Sequence, residues 1–102
     1  MRDIGLEIVA LAVIGELTLD GTNSPQWVAL GSQKANQVTI FNNTGQTLEI
    51  SRGTASVALP AGNKTMKQPD KTAKTYRGIR DVATIYVKNN GAVTFNWEAE
   101  GV

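Results

Sequence analysis

From Gln37 to Glu100 apolar and polar residues alternate in short runs, and turn residues separate the runs. A period of two with Gly, Asn and Pro punctuation predicts half-buried β-strands. The clearest unit lies around Asn90-Gly91, a favoured type I′ turn pair because both central residues need positive φ. Before it, Ala83, Ile85 and Val87 share one face; after it, Val93, Phe95, Trp97 and Ala99 do. The pattern predicts an antiparallel hairpin with that face in the core.

Upstream the pattern repeats. Val38 and Ile40 alternate with Gln37, Thr39 and Phe41, and Asn42-Asn43-Thr44-Gly45 turns the chain. Leu48 and Ile50 follow before a turn at Arg52-Gly53, then Val57 and Leu59 before Pro60-Ala61-Gly62-Asn63. Turn signals roughly every 8–12 residues are the mark of a sandwich or barrel. Trp27, Val28 and Leu30 read as another short strand, and Gly78 as a bend. The expected fold is all-β: a single-domain antiparallel β-sandwich over residues 1–102, jelly-roll or Ig-like, of about seven or eight strands.

Two stretches break the pattern. Residues 4–14 are apolar at even and odd positions alike, so a strand there has no polar face. Periodicity cannot arbitrate strand from helix in such a run; three Ile and two Val between Ile4 and Ile14 favour a strand. Leu17 and Leu19 extend it to residue 19, past Gly15, read as a bulge. A sandwich covers one face of each sheet, and a large exposed apolar face marks an interface. Leu6, Ile8, Val9, Leu11, Val13 and Ile14 are therefore the candidate interface residues; burial against the long loop of the same subunit is the competing reading. The other stretch, residues 63–75, is polar, lacks alternation and contains Pro69, and reads as an exposed basic loop.

Charge adds one asymmetry. The chain of 102 residues has a net charge of +1, from ten basic and nine acidic residues, so no global field draws it to nucleic acid or an anionic membrane. Locally, Lys64, Lys67, Lys71, Lys74, Arg77 and Arg80 are opposed by only Asp70 and Asp81, whereas Asp3, Glu7, Glu16 and Asp20 face Arg2 alone. Three readings of the basic patch stand side by side: a solvated loop, a contact with the acidic part of a neighbouring subunit, and a polyanion site. The patch lacks clustered aromatics for base stacking, so nucleic acid is not the expected partner.

Candidate chemistry is sparse. The chain has no His and no Cys, which removes the usual general base, thiolate catalysis, thiolate metal sites and disulfides. Glu98 and Glu100 share a strand face and read as a solvated strand end, not as a catalytic pair in a pocket. No serine sits in a G-x-S-x-G elbow. Asp20, Thr22 and Asn23 lack the further acidic ligands of a calcium loop. The expectation is no enzyme, no cofactor and no metal. The apolar run Ile8–Ile14 is too short to span a bilayer, which needs about 20 residues. Its acidic flanks at Glu7 and Glu16 do not fit a cleaved signal.

The segments VTIFNNTGQTLEISRGTASVALPAGNKT and YRGIRDVATIYVKNNGAVTFNWEAE, together covering most of residues 37–100, resemble small β-sandwich virion proteins of tailed bacteriophages. The likeness is one of texture: an Asn-rich turn after a strand, an LPAG-like turn, then a closing segment of the form IYVKNNGAVTFNW. The resemblance implies a structural role in the virion, as head decoration or as a neck or tail component, made in the host cytoplasm. It implies self-association and contacts with other virion proteins, the major capsid protein or neck and tail proteins. It carries over no catalytic residue. The alternative is a carbohydrate- or cell-surface-binding sandwich presenting Trp27, Tyr76 or Tyr86.

Overall fold

The computed structural model describes residues 12–20, 27–52, 65–89 and 91–101. Among these residues eight strands form two four-stranded antiparallel sheets: β1 (Ala12–Leu19), β2 (Val28–Ala29), β3 (Gln37–Asn42), β4 (Leu48–Arg52), β5 (Thr65–Gln68), β6 (Thr72–Arg77), β7 (Ile85–Lys88) and β8 (Val93–Glu100). The front sheet runs β1-β8-β3-β6 and the back sheet β2-β7-β4-β5. The antiparallel pairs β1·β8, β2·β7, β3·β6 and β4·β5 are those of one long hairpin ribbon whose tip is β4–β5. The ribbon rolls up and closes on itself through β3·β8 and β4·β7. Of the two sandwich types that the sequence left open, this is the jelly roll.

Alternation sets which side chains enter the core. In β8 Val93, Phe95, Trp97 and Ala99 are buried and the intervening residues face out. Val38 and Ile40 of β3, Leu48 and Ile50 of β4, and Ile85 and Val87 of β7 meet them from both sheets. Leu19 of β1, Tyr76 of β6, and Leu30, Ala35, Ile79 and Val82 of the connections complete the core. Val82 opens a short 3₁₀ turn, Val82–Thr84, that Asp81 caps. The Asp81 carboxylate accepts from the Ala83 amide (2.9 Å) and the Gln33 amide (3.0 Å), tying the turn to the β2–β3 connection.

Three sequence expectations change. The hairpin around Asn90-Gly91 does not form: β7 lies in the back sheet and β8 in the front sheet. Local turn preference loses to an eight-residue register between β1 and β8, from Ala12↔Glu100 to Leu19↔Val93. β7 has both faces buried and takes β2 and β4 as neighbours. Ala83 belongs to the 3₁₀ turn instead of a strand, and Asn90 lies outside the described residues.

The basic stretch 63–75 is not a loop over its described part. β5 and β6 occupy it, joined across the sheets by a tight turn at Pro69, Asp70 and Lys71. The missing alternation has a cause. Gln68 is polar yet fully buried, so the hydrophobic pattern hides a core position. Lys71 takes φ 63°, which makes the turn short.

Gly15 is not a bulge. It pairs in regular register with Trp97. A Cβ there would fall inside the Trp97 indole. The same Cζ2 of the indole also lies against Gly31, where a Cβ would stand 2.7 Å from it. Glycine is present at both positions because the largest side chain of β8 lies across the backbone there.

A polar clasp joins the two sheets along the β5–β6 side. Gln68 Nε2 donates to the Ile40 carbonyl (2.8 Å) and the Thr72 carbonyl (3.2 Å), and its Oε1 accepts from the Tyr76 hydroxyl (3.1 Å). Asn42 Nδ2 donates to the carbonyls of Gln46 (2.9 Å) and Gln68 (2.8 Å). Asn42 Oδ1 accepts from the Thr44 amide and hydroxyl. Every polar atom of both buried amides has a partner, so their burial carries no orphan penalty. Burial pushes the Tyr76 phenol up to about 12, against an opposing pull from Arg52.

Candidate interaction surface

The outward face of the front sheet is a ruled surface. Its rows across β1, β8, β3 and β6 read Ala12–Glu100–Gln37–Arg77, then Ile14–Glu98–Thr39–Thr75, then Glu16–Asn96–Phe41–Ala73. Thr18 and Thr94 close a fourth row with hydroxyls 3.0 Å apart, and Thr39 and Thr75 make a second hydroxyl pair at 2.7 Å. Gln37 Nε2 donates to Glu100 Oε1. Cross-strand pairs of this kind fix register and leave a regular face. Two large apolar side chains stand out of it: Ile14, 71% exposed, and Phe41, 39% exposed.

Of the residues expected at an interface, Ile14 is on this surface. Val13 is not: its side of β1 faces inward, opposite Ala99, and it is half-buried. Consecutive residues of a strand point to opposite faces, so the two cannot share one interface face. Leu6, Ile8, Val9 and Leu11 lie outside the described residues, as do the expected core residues Val57 and Leu59. Phe41 escaped the sequence reading as a surface feature. The signal was its place in phase with Gln37 and Thr39, out of phase with Val38 and Ile40.

The described residues of the expected basic patch are exposed and gather mainly on the β5–β6 side. Lys67 stands on β5 opposite Glu49, Lys71 in the turn, and Lys74 and Arg77 on β6. Lys74 Nζ lies 3.9 Å from Met66 Sδ and 5.7 Å from the Tyr76 ring centre, so its stem closes the seam between the sheets. Arg80 follows the Gly78 bend, between β6 and the 3₁₀ turn, and Lys64 lies outside the described residues. Arg52, read from the sequence as a turn residue, ends β4 and joins the group by donating from Nη2 to the Arg77 carbonyl.

β1 and β2 bound the other side of the sandwich. Near β1 the front face carries Glu16, Glu98 and Glu100. The front sheet is thus polarised, acidic at β1–β8 and basic at β6, while Glu49 and Asp70 lie among the basic residues of the β5–β6 side. The separation was half visible in sequence, where acidic and basic residues segregate. That Glu98 and Glu100 join the acidic side follows from the β1·β8 pairing, which joins the two ends of the described chain.

Two of the three aromatic candidates for sugar binding are withdrawn by burial. Tyr76 points into the clasp, and Tyr86 is buried on the side of the back sheet that faces away from the core. Trp27 is half-buried, with Lys88 Nζ 5.5 Å from its ring centre. Among the described residues no three His, Cys, Asp or Glu side chains group as metal ligands do.

Comparison with protein-family models, with curated proteins and with solved structures finds no match to this chain.

Proposed function

We propose that this chain is a non-enzymatic structural subunit of a bacteriophage particle, a capsid decoration or a neck or tail component that acts by repeated subunit contacts. The observation that carries the assembly reading is Ile14, 71% exposed on edge strand β1, with Phe41 on the same face. Apolar groups on a regular sheet face gain free energy when a partner covers them, at roughly 25 cal/mol per Å² removed from water. The virion assignment rests on the resemblance of residues 37–100 to phage sandwich proteins. The jelly roll is compatible with it, since capsid domains and lectins alike use that roll; fold alone assigns no function. Burial of Tyr76 and Tyr86 weighs against the lectin branch.

Weak contacts repeated around a symmetric shell or ring add through avidity, so no single contact needs to be strong. Quantitative mass spectrometry of particles purified from a lysate that produces the chain tests the assignment. The chain is expected in multiple copies per particle, at a fixed ratio to the major capsid protein. Absence from purified particles contradicts it.

A further inference from the structure

The front sheet has two open edges among the described residues, β1 and β6. An open edge offers a row of unpaired amides and carbonyls to another strand. Neighbours in the order β1-β8-β3-β6 are all antiparallel, so β1 and β6 run in opposite directions. A second copy related by translation along the sheet places its β1 beside β6 in the antiparallel sense, and the four-strand pattern repeats without a break.

Charge decides between this arrangement and its rivals. A two-fold contact of β1 with β1 sets Glu16, Glu98 and Glu100 of one copy against the same carboxylates of the other. A two-fold contact of β6 with β6 puts two basic edges together, with Arg77 on the outer face and Lys74 on the opposite face of each strand. Only β6 against β1 joins the basic edge to the acidic one. Like charges brought together across an interface are costly, and opposite ones fix orientation.

We propose that copies of this chain associate head to tail, the β6 edge of one pairing with the β1 edge of the next. This rests on the assembly reading above and gives it a partner and a direction. The contact is heterologous, so it closes as a ring or continues as a filament, and it does not stop at a dimer. Six residues of β6, about 20 Å of strand, form the seam. Ile14 then stands at the seam, and its exposure in the single copy has a reason.

The test exploits the two charge signs with whole chains. One variant carries Glu16→Lys and Glu98→Lys, making both edges basic. The other carries Lys74→Glu and Arg77→Glu, making both acidic. Circular dichroism and thermal unfolding establish that each folds. Light scattering then follows mass against concentration for the wild type, each variant, and their equimolar mixture. Each variant alone is expected to associate at least about tenfold more weakly than the wild type. The mixture is expected to recover large assemblies that contain both chains.

A wild type that assembles while both variants assemble equally well overturns the edge pairing and leaves the assembly reading intact. A wild type that saturates as a dimer overturns head-to-tail order in favour of a two-fold contact. A wild type that is monomeric throughout overturns the pairing, and the particle measurement above then decides the assembly reading separately.

Discussion

Gly15→Ala is the substitution that probes the packing most sharply. The added Cβ falls within the Trp97 indole, whose Cζ2 also lies close to Gly31. Overpacking of a closed core costs about 1–3 kcal/mol, and a Cβ that falls inside a ring belongs at the upper end. Against this, alanine gains about 0.5–1 kcal/mol over glycine through the unfolded chain. The net expectation is a loss of about 2 kcal/mol. At about 4–8 °C per kcal/mol for a domain near 100 residues, Tm falls by about 10 °C. Urea unfolding followed by circular dichroism measures the free energy directly. A double-mutant cycle with Trp97→Phe isolates the clash, because phenylalanine lacks the outer indole atoms that meet Gly15. The cycle also removes Trp97 Nε1, a buried donor with no acceptor. In the Trp97→Phe background Gly15→Ala is expected to cost less than about 0.5 kcal/mol, a coupling of about 1.5 kcal/mol or more. Equal effects of Gly15→Ala in both backgrounds would refute the claim that the indole dictates glycine here.

Two further outcomes follow from the clasp and its turn. Tyr76→Phe leaves the Gln68 Oε1 acceptor without its donor in a buried site, and is expected to cost about 1–3 kcal/mol near neutral pH. The folded phenol titrates at about 12 and an unfolded one near 10, so between those values the unfolded chain has lost a proton that the folded chain keeps. Stability therefore falls as pH rises through that window, by up to about 1.4 kcal/mol per pH unit from this group. The difference between wild type and Tyr76→Phe, measured by urea unfolding from pH 9 to 12, should shrink with pH; a constant difference contradicts the assignment. Lys71→Asn relieves a left-handed backbone at φ 63° while keeping the amide that donates to the Asn42 carbonyl (2.7 Å). It should stabilise by about 0.5 kcal/mol, and a loss of stability would show that the Lys71 side chain contributes more than its backbone strain costs.

The sequence disclosed faces better than partners. Every described core position expected from β3, β4 and β8 is buried, because alternation reports which side a residue takes whatever strand lies beside it. The pairing was hidden, since a jelly roll joins β1 to β8 across the length of the chain and no local turn encodes it. Asn90-Gly91 predicted a neighbour for β8 that the rolled ribbon overrides. The β5–β6 stretch was misread for another reason. Gln68 is polar in composition and core in position, because four hydrogen-bonding groups meet its amide and backbone carbonyl. The candidate surface was legible in part: Ile14 was singled out, and the basic residues were grouped. Phe41, Glu98 and Glu100 joined them only once the sheet register placed them on one face.

On the proposed function this sandwich works by joining copies of itself and its neighbours. Light scattering of the wild-type chain, over a range of micromolar concentrations and at low and high salt, tests it most directly. The expected result is a mass well above the 10.9 kDa monomer, rising with concentration and falling as salt screens the opposed edges. A monomer mass under every condition would contradict it.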